Sequence, residues 1–489
     1  MRKKLHLLIS TFLFALTAYS QVGINTLTPE GILHMQNTTS PLGMILPRVD
    51  SAQITVARSM TTPLEATAVY DNKEHCIRLK TSDADRAWSD CLLDKSSVIN
   101  IIEQEIIYNG KVPARATKIA AGHYYAAIYT DASRGNVVYG MGYQNNNQIG
   151  TVTNGTNNYP RAVFDRSSAD IDMGYYNGAA VTSNGELWVW GYNNNGKNGT
   201  GNTTTVNAPR KISLPGGISA SKVRTGYYNT LVLGTDKKLY VSGYAGYGTL
   251  GNGTTSGDAL NFQKIPFFDN QEVVDMDVFY YGAIAVTSNG NVYVWGTNST
   301  TSRRLGLPTN VSVASTPTLL NPNFTLNAGE SVVKVVLDDG SFDGGGFITN
   351  QGRYFAFGYL YYHGGGGVYA GPTNITAALQ TGERFSDISM YYGVGLLTNQ
   401  NKIYVAGSST NGKLGTGSTA FVASLTSVTP ATSPVGNVYT GISLGYYNMY
   451  VTTSSAGGKN KIYGAGYGAN NQLGRTNESG SNSLVVVFE

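Results

Sequence analysis

Gly174-Tyr175-Tyr176-Asn177, followed by Ala180-Val181-Thr182-Ser183-Asn184-Gly185-Glu186-Leu187-Trp188-Val189-Trp190-Gly191 and an Asn-rich loop that closes at Gly199, is the stretch whose reading decides the fold. It strings together a glycine turn, a short apolar run, a tight Asn-Gly turn, an alternating aromatic strand and a loop. That order outlines one four-stranded blade. The phrase recurs with its opening position at Gly122, Gly174, Gly226, Phe279, Ser341, Met390 and Gly445. A spacing of about 50 residues is that of a propeller repeat. Alternation in Lys238-Leu239-Tyr240-Val241-Ser242, Val292-Tyr293-Val294-Trp295 and Lys402-Ile403-Tyr404-Val405 fits half-buried strands.

In the same phase stand Val189-Trp190-Gly191-Tyr192-Asn193 with Gly196 and Gly199, Gly412-Lys413-Leu414-Gly415, and Asn470-Asn471-Gln472-Leu473-Gly474. With these residues the chain resembles the regulator of chromosome condensation repeat family, in a bacterial exported form. The resemblance runs from about residue 112 to residue 489 and implies an all-β fold, a seven-bladed β-propeller. One departure is consistent. The family's histidine position holds Tyr125, Asn177, Asn229, Gly282, Gly344, Gly393 and Asn448.

Composition agrees with many short strands and little helix: 489 residues carry 60 Gly, 34 Tyr and 13% charged side chains. Lys and Arg total 34 against 30 Asp and Glu, and Arg2, Lys3 and Lys4 fall in the leader, so the remainder is close to neutral. Nucleic acid is not expected as a partner, since binding it needs clustered cations. Residues 1–20 read as a signal peptide: a basic start, the apolar run Leu7 to Leu16, then Ala18-Tyr19-Ser20. Export is therefore expected, to the cell surface, the medium or the periplasm. No later run approaches the roughly 20 apolar residues of a membrane helix, so no membrane span is expected.

Residues 21–94 lack the repeat phrase and read as a small, irregular β-rich N-terminal module, joined by a linker at 95–111. Gly23-Ile24-Asn25-Thr26, Gly43-Met44-Ile45-Leu46-Pro47-Arg48 and Ala68-Val69-Tyr70-Asp71 resemble the leading segments of exported gram-negative surface proteins. Cys76 and Cys91 are the only cysteines. In an exported chain such a pair is most simply a disulfide, which would stabilise this module by roughly 3 kcal/mol. The final run, Ser483 to Phe488, is expected to complete the last blade and abut the first.

Catalytic motifs dissolve when set in phase. Gly441-Ile442-Ser443-Leu444-Gly445 spells a nucleophile elbow, but Ser443 takes the slot of Asp172 and Arg224 on a strand with no helix to follow. Gly191 to Lys197 imitates a phosphate loop, but Asn198 stands where Ser or Thr is required. The histidines are scattered, and Asp338, Asp339 and Asp343 read as a solvated acidic turn, so neither a metal nor a cofactor is expected. The protein is read as a non-enzyme. Convergent acids with raised pKa values in a central channel would argue against that.

What remains is tyrosine. His123-Tyr124, Tyr175-Tyr176, Tyr227-Tyr228, Tyr280-Tyr281, Tyr391-Tyr392 and Tyr446-Tyr447 follow the opening position, and pseudo-symmetry places them in one ring. Tyrosine offers a rigid apolar body, a hydroxyl and little rotamer entropy to lose. Tyr124, Tyr176, Tyr228, Tyr281, Tyr392 and Tyr447 are the expected contact residues. Tyr361 and Tyr362, in the Gly-rich insertion of the fifth repeat, join them. In exported propellers of this family that inhibit β-lactamases, the resemblance implies a partner-binding face on this same turn. The plain alternative is that the rings only wedge between blades, with one of each pair packed and the other facing solvent or the channel. The expected function is protein binding at the envelope or outside the cell; the alternative is a glycan-binding adhesin. Tyrosines gathered on one face would favour a protein, and one shallow pocket per blade a sugar.

Overall fold

The computed structural model describes five short strands before residue 80, and then residues 116–488 except 123–125, 132–135, 144–145, 151–155, 165, 300–302, 321–323, 339–343, 360–361, 377–378, 431–436, 456–459, 471 and 474–479. Two compact units divide the chain, Met1–Ile101 and Ile102–Glu489. In the first, Val22–Ile24 pairs in parallel with Leu33–Met35. Arg48–Val49, Ala68–Asp71 and Cys76–Leu79 make a three-stranded sheet. The expected signal peptide, the 95–111 linker and Cys91 lie outside the described residues, and the Cys76–Cys91 disulfide with them.

In the second unit the described residues form seven four-stranded antiparallel sheets in chain order, at 116–164, 168–212, 220–264, 273–319, 332–374, 385–428 and 437–488. The second is representative, with strands Ser168–Met173, Asn177–Thr182, Leu187–Gly191 and Val206–Ile212. Asn184-Gly185 turns the second strand into the third, with Gly185 at φ +85°. That left-handed conformation suits glycine. Among the described residues no helix is long and apolar enough to cross a membrane.

Burial varies across a blade. The second strand is buried at every residue in the second to sixth blades, because a neighbouring blade covers each of its faces. The outer strand Val206–Ile212 is mostly exposed. Large side chains seal the joints: Trp190 and Trp295 are fully buried, and their indole N–H groups donate to the preceding blade at Gln148 O and Thr249 O, both at 2.9 Å. Met276 and Val278 of the fourth blade pack with Leu231, Leu233 and Val241 of the third.

The opening glycine has a steric cause. A Cβ at Gly174 would lie 2.6 Å from Thr225 O and 2.8 Å from Gly226 O of the next blade. Backbone hydrogen bonds also move the repeat's opening position in two blades. Gly174 N donates to Asn177 O, and the matching bonds in the fifth and sixth blades start at Asp338 and Tyr391, not at Ser341 and Met390. Those two turns differ from the rest in length.

The final run completes the seventh blade, as expected. Gly480–Phe488 is the outer strand of the seventh blade, pairing with Ile462–Tyr467. Its neighbour across the joint is the sixth blade, through a bridge between Ser483 and Thr416. The first blade meets the seventh at the innermost strands instead, where Ala121 N donates to Ser443 Oγ at 2.9 Å.

Candidate functional site

In the second, third and seventh blades the tyrosine turn leaves an innermost strand and is pinned by a side chain to the loop after the third strand. Asn229 Nδ2 donates to Tyr244 O at 2.9 Å, Asn448 Nδ2 to Tyr467 O at 2.7 Å, and Asn177 Nδ2 to Asn198 Oδ1 at 3.1 Å. Asparagine thus does the tying at the family's histidine position. The loops are themselves organised by a buried amide: Asn193 Nδ2 donates to Thr200 Oγ1 and to Asn202 and Thr204 carbonyls, and Asn298 Nδ2 to Leu307, Pro308 and Val311 carbonyls.

The rings touch across blades. Tyr175 and Tyr227 lie 4.1 Å apart between centroids, and Tyr227 and Tyr280 4.2 Å. The second tyrosines meet the loops: Tyr176 contacts Tyr192, Tyr228 contacts Tyr244 and Tyr247, and Tyr247 contacts Tyr281 at 4.8 Å. Arg304 stacks over Tyr281 at 4.2 Å. Nine tyrosines of the second to fourth blades therefore form one unbroken sheet of rings. Only Lys197, Asp258, Arg303 and Arg304 are charged in the turns and loops that carry them. A second group joins Tyr362, Tyr392, Tyr446, Tyr447 and Tyr467, with Phe421 against Tyr362.

Of the expected contact residues, Tyr176, Tyr228, Tyr281, Tyr392, Tyr447 and Tyr362 lie in these two groups; Tyr124 and Tyr361 lie outside the described residues. The expected division within each pair does not hold. Both members are half-buried in the second, third, fourth and seventh blades, whereas in the sixth Tyr391 is buried and Tyr392 half-buried. The pairs sit in bends, where successive side chains need not point to opposite sides. Burial raises the Tyr280 hydroxyl to about 12 and also raises Tyr228, so both stay neutral donors at physiological pH.

Behind the tyrosines, the innermost strands enclose a cavity of about 640 Å³. Every innermost strand carries a register shift. Just past it stand Lys118, Asp170, Lys222, Asp275, Lys334, Asp387 and Gly441, in blade order. Charge alternates around the ring, and the seventh position is glycine, since an odd ring cannot alternate throughout. Lys118 pairs with Asp170 at 3.1 Å, Lys222 with Asp275, and Lys334 with Asp387. The same carboxylates accept backbone N–H groups of the next blade: Val223 on Asp170, Val335 on Asp275 and Ile442 on Asp387.

Two residues further along, Asp172 accepts from Thr225 N at 2.6 Å, and Asp277 from Leu337 N at 2.8 Å. Burial raises both carboxyls, Asp277 to about 7, and Arg224 between them offsets part of the rise. Burial pushes Asp170 up too, but Arg224, Lys118 and Lys222 outweigh it and leave that carboxyl below its ordinary value. Recurrence could not reveal this set, because the position alternates in sign instead of repeating.

The fifth blade corrects two expectations. Asp338 is buried, not solvated, and its Oδ2 lies 2.8 Å from His363 Nε2. Its Oδ1 accepts Tyr392 N, also at 2.8 Å. His363, which reads as an isolated histidine of a Gly-rich insertion, is the fully buried partner of that acid. Among the described residues no group of acids, histidines and cysteines is placed to hold a metal.

Residues 184–233 match the regulator of chromosome condensation (RCC1) repeat model, and 169–197 match a second model of that repeat. Among curated relatives, the ultraviolet-B receptor UVR8 of Arabidopsis thaliana is 28% identical over 187 residues, 38% of this chain and 42% of that protein. The human E3 ubiquitin-protein ligase HERC2 is 27% identical over 206 residues, 41% of this chain and 4% of that protein. The matched part thus spans less than half the length of these relatives. Among solved structures, human WBSCR16 superposes with a TM-score of 0.60 at 17% identity, covering 71% of this chain and 88% of that one. Prp20p from Saccharomyces cerevisiae gives 0.58 at 15%, covering 72% and 86%. Within this β-propeller, residues 169–233 carry the regulator of chromosome condensation repeat.

Proposed function

We propose that this is an exported, non-enzymatic binding protein whose tyrosine face holds a protein partner at the cell envelope or outside the cell. One observation carries the reading: the unbroken sheet of rings from Tyr192 through Tyr175, Tyr227 and Tyr280 to Tyr247 on one face of three adjacent blades. Such a surface offers area at low entropic cost, and its hydroxyls find partners without charge. Prp20p binds Gsp1p and histones, an instance of protein recognition on this fold. Export rests on the leader sequence. A glycan-binding adhesin is the alternative, but rings in mutual contact suit a continuous protein surface better than one sugar pocket per blade.

Asp172 and Asp277 are the one feature that favours chemistry. Each is bonded to an amide of the next blade, and Arg224 lies between them, which supports a structural use. The test is capture of partners from envelope extracts by wild type and by Tyr176→Ala, Tyr228→Ala and Tyr281→Ala combined, followed by affinity measurement with the purified partner. Loss of at least about 2 kcal/mol, roughly thirtyfold in Kd, is expected of a hot-spot cluster. Equal affinity in a folded triple variant rules out this face.

A further inference from the structure

The loop after the third strand can place a side chain beneath the tyrosine turns: Lys197 Nζ donates to Tyr227 O at 3.0 Å, and Arg304 stacks on Tyr281. In the phase of the family's Gly-Gln-Leu-Gly, the corresponding position holds Gln148, Lys197, Thr249, Arg304, His363, Lys413 and Gln472. Lys413 is the extreme case. Its side chain is fully buried, and its ammonium donates to Tyr391 O and, at 3.4 Å, to Gly445 O, so one group spans the turns of the sixth and seventh blades. It lies 5.7 Å from the centre of the Tyr391 ring and 5.8 Å from that of Tyr392.

No carboxylate lies within ion-pair distance of it among the described residues. The nearby acid, Asp338, uses one oxygen on His363 and the other on Tyr392 N. His363 in turn takes the Tyr354 hydroxyl on its carbonyl. Among the described residues, Asp338, His363, Tyr354, Tyr391, Tyr392 and Tyr446 are the titratable groups around the site; Asp339 and Asp343 lie outside them. A buried ammonium held by carbonyls alone is costly to charge. Tyr392, on the same turn, sits at φ +46°, a strained conformation for a tyrosine that its neighbours must hold in place.

We propose that Lys413 is a positioning residue for the tyrosine turns of the sixth and seventh blades, and that the order of this half of the face depends on whether its amine carries a proton. The link from order to partner affinity rests on the proposed function; the ordering itself does not. In the closed turn burial lowers the amine to about 7, partly offset by Asp338, whereas an exposed lysine keeps its proton to 10.5. Opening the turn therefore takes up a proton between these limits, and becomes harder as pH rises through that window, by up to about tenfold per unit.

Hydrogen exchange of the full chain tests this. Peptides carrying Tyr391-Tyr392 and Tyr446-Tyr447 are followed from pH 7 to 9.5, corrected for intrinsic rates, beside the Tyr280-Tyr281 peptide, whose turn has Thr249 and Arg304, and no lysine, at the corresponding positions. Wild-type protection is expected to rise with pH in the first two, by at least about tenfold across the range, and to stay level in the third. Lys413→Gln, which installs the residue native to the first and seventh blades, is expected to level all three; Lys413→Met serves if that variant misfolds. Level wild-type protection, or an unchanged slope in the variants, overturns the proposal. If the slope disappears in Lys413→Gln while the triple tyrosine variant keeps its partner, the ordering device stands and the binding reading falls.

Discussion

Lys222 of the third blade and Asp275 of the fourth form a nearly buried ion pair across the joint, and the other oxygen of Asp275 accepts Val335 N of the fifth blade at 2.9 Å. One carboxylate thus links three blades. The arrangement recurs with Lys334, Asp387 and Ile442 in the fifth to seventh blades. Blades in a propeller share no backbone ladder, so polar ties at the hub fix their rotation where apolar packing alone would let them slip.

Asp275→Ala should destabilise strongly, because it leaves Lys222 and the Val335 amide without their partner in a buried setting. A loss of about 3 to 5 kcal/mol is expected. Urea unfolding monitored by tryptophan fluorescence measures it. The exchanged pair, Lys222→Asp with Asp275→Lys, should recover only part, since lysine cannot accept the Val335 N–H. Full recovery would show that charge pairing alone matters there.

Asp277 should make the fold less stable as the solution becomes more basic. Its carboxyl titrates near 7 in the folded chain against 3.8 when free, so the folded state holds the extra proton between those values. Stability from this group is complete below about 4 and is lost as pH rises through 7. Asp277→Asn should flatten that part of the profile and be the more stable protein at pH 8. Urea midpoints from pH 4.5 to 8 decide it, and a variant profile parallel to wild type would refute the assignment.

Gly174→Ala should cost about 1 to 3 kcal/mol through overpacking, since its methyl would meet the Thr225 and Gly226 carbonyls. Those atoms are backbone at the blade joint and have little room to retreat. Gly217→Ala is the contrast, because nothing lies within 4 Å of a methyl there. Gly217 has φ +70°, so its variant reports conformational strain without the clash. Thermal melting of the two variants side by side separates the causes, and equal losses would remove the steric argument.

The repeat was legible because it is local. Glycine turn, apolar run, Asn-Gly hairpin and aromatic strand lie within about 30 residues of one another, and backbone sterics with hydrophobic alternation act at that range. From Tyr175-Tyr176 and its copies the tyrosine face was legible too, since pseudo-symmetry carries equal positions to one end of the fold. What the order of residues alone determined was the blade, its recurrence and the face that collects tyrosine. Tertiary structure decided which residues answer one another between blades. Asp170 and Val223, and Lys413 and Gly445, stand 53 and 32 positions apart, and only the packing of one blade on the next brings them together. The physical reason is that charge and hydrogen bonding are satisfied between neighbouring blades, whose joints follow no period that a single repeat displays.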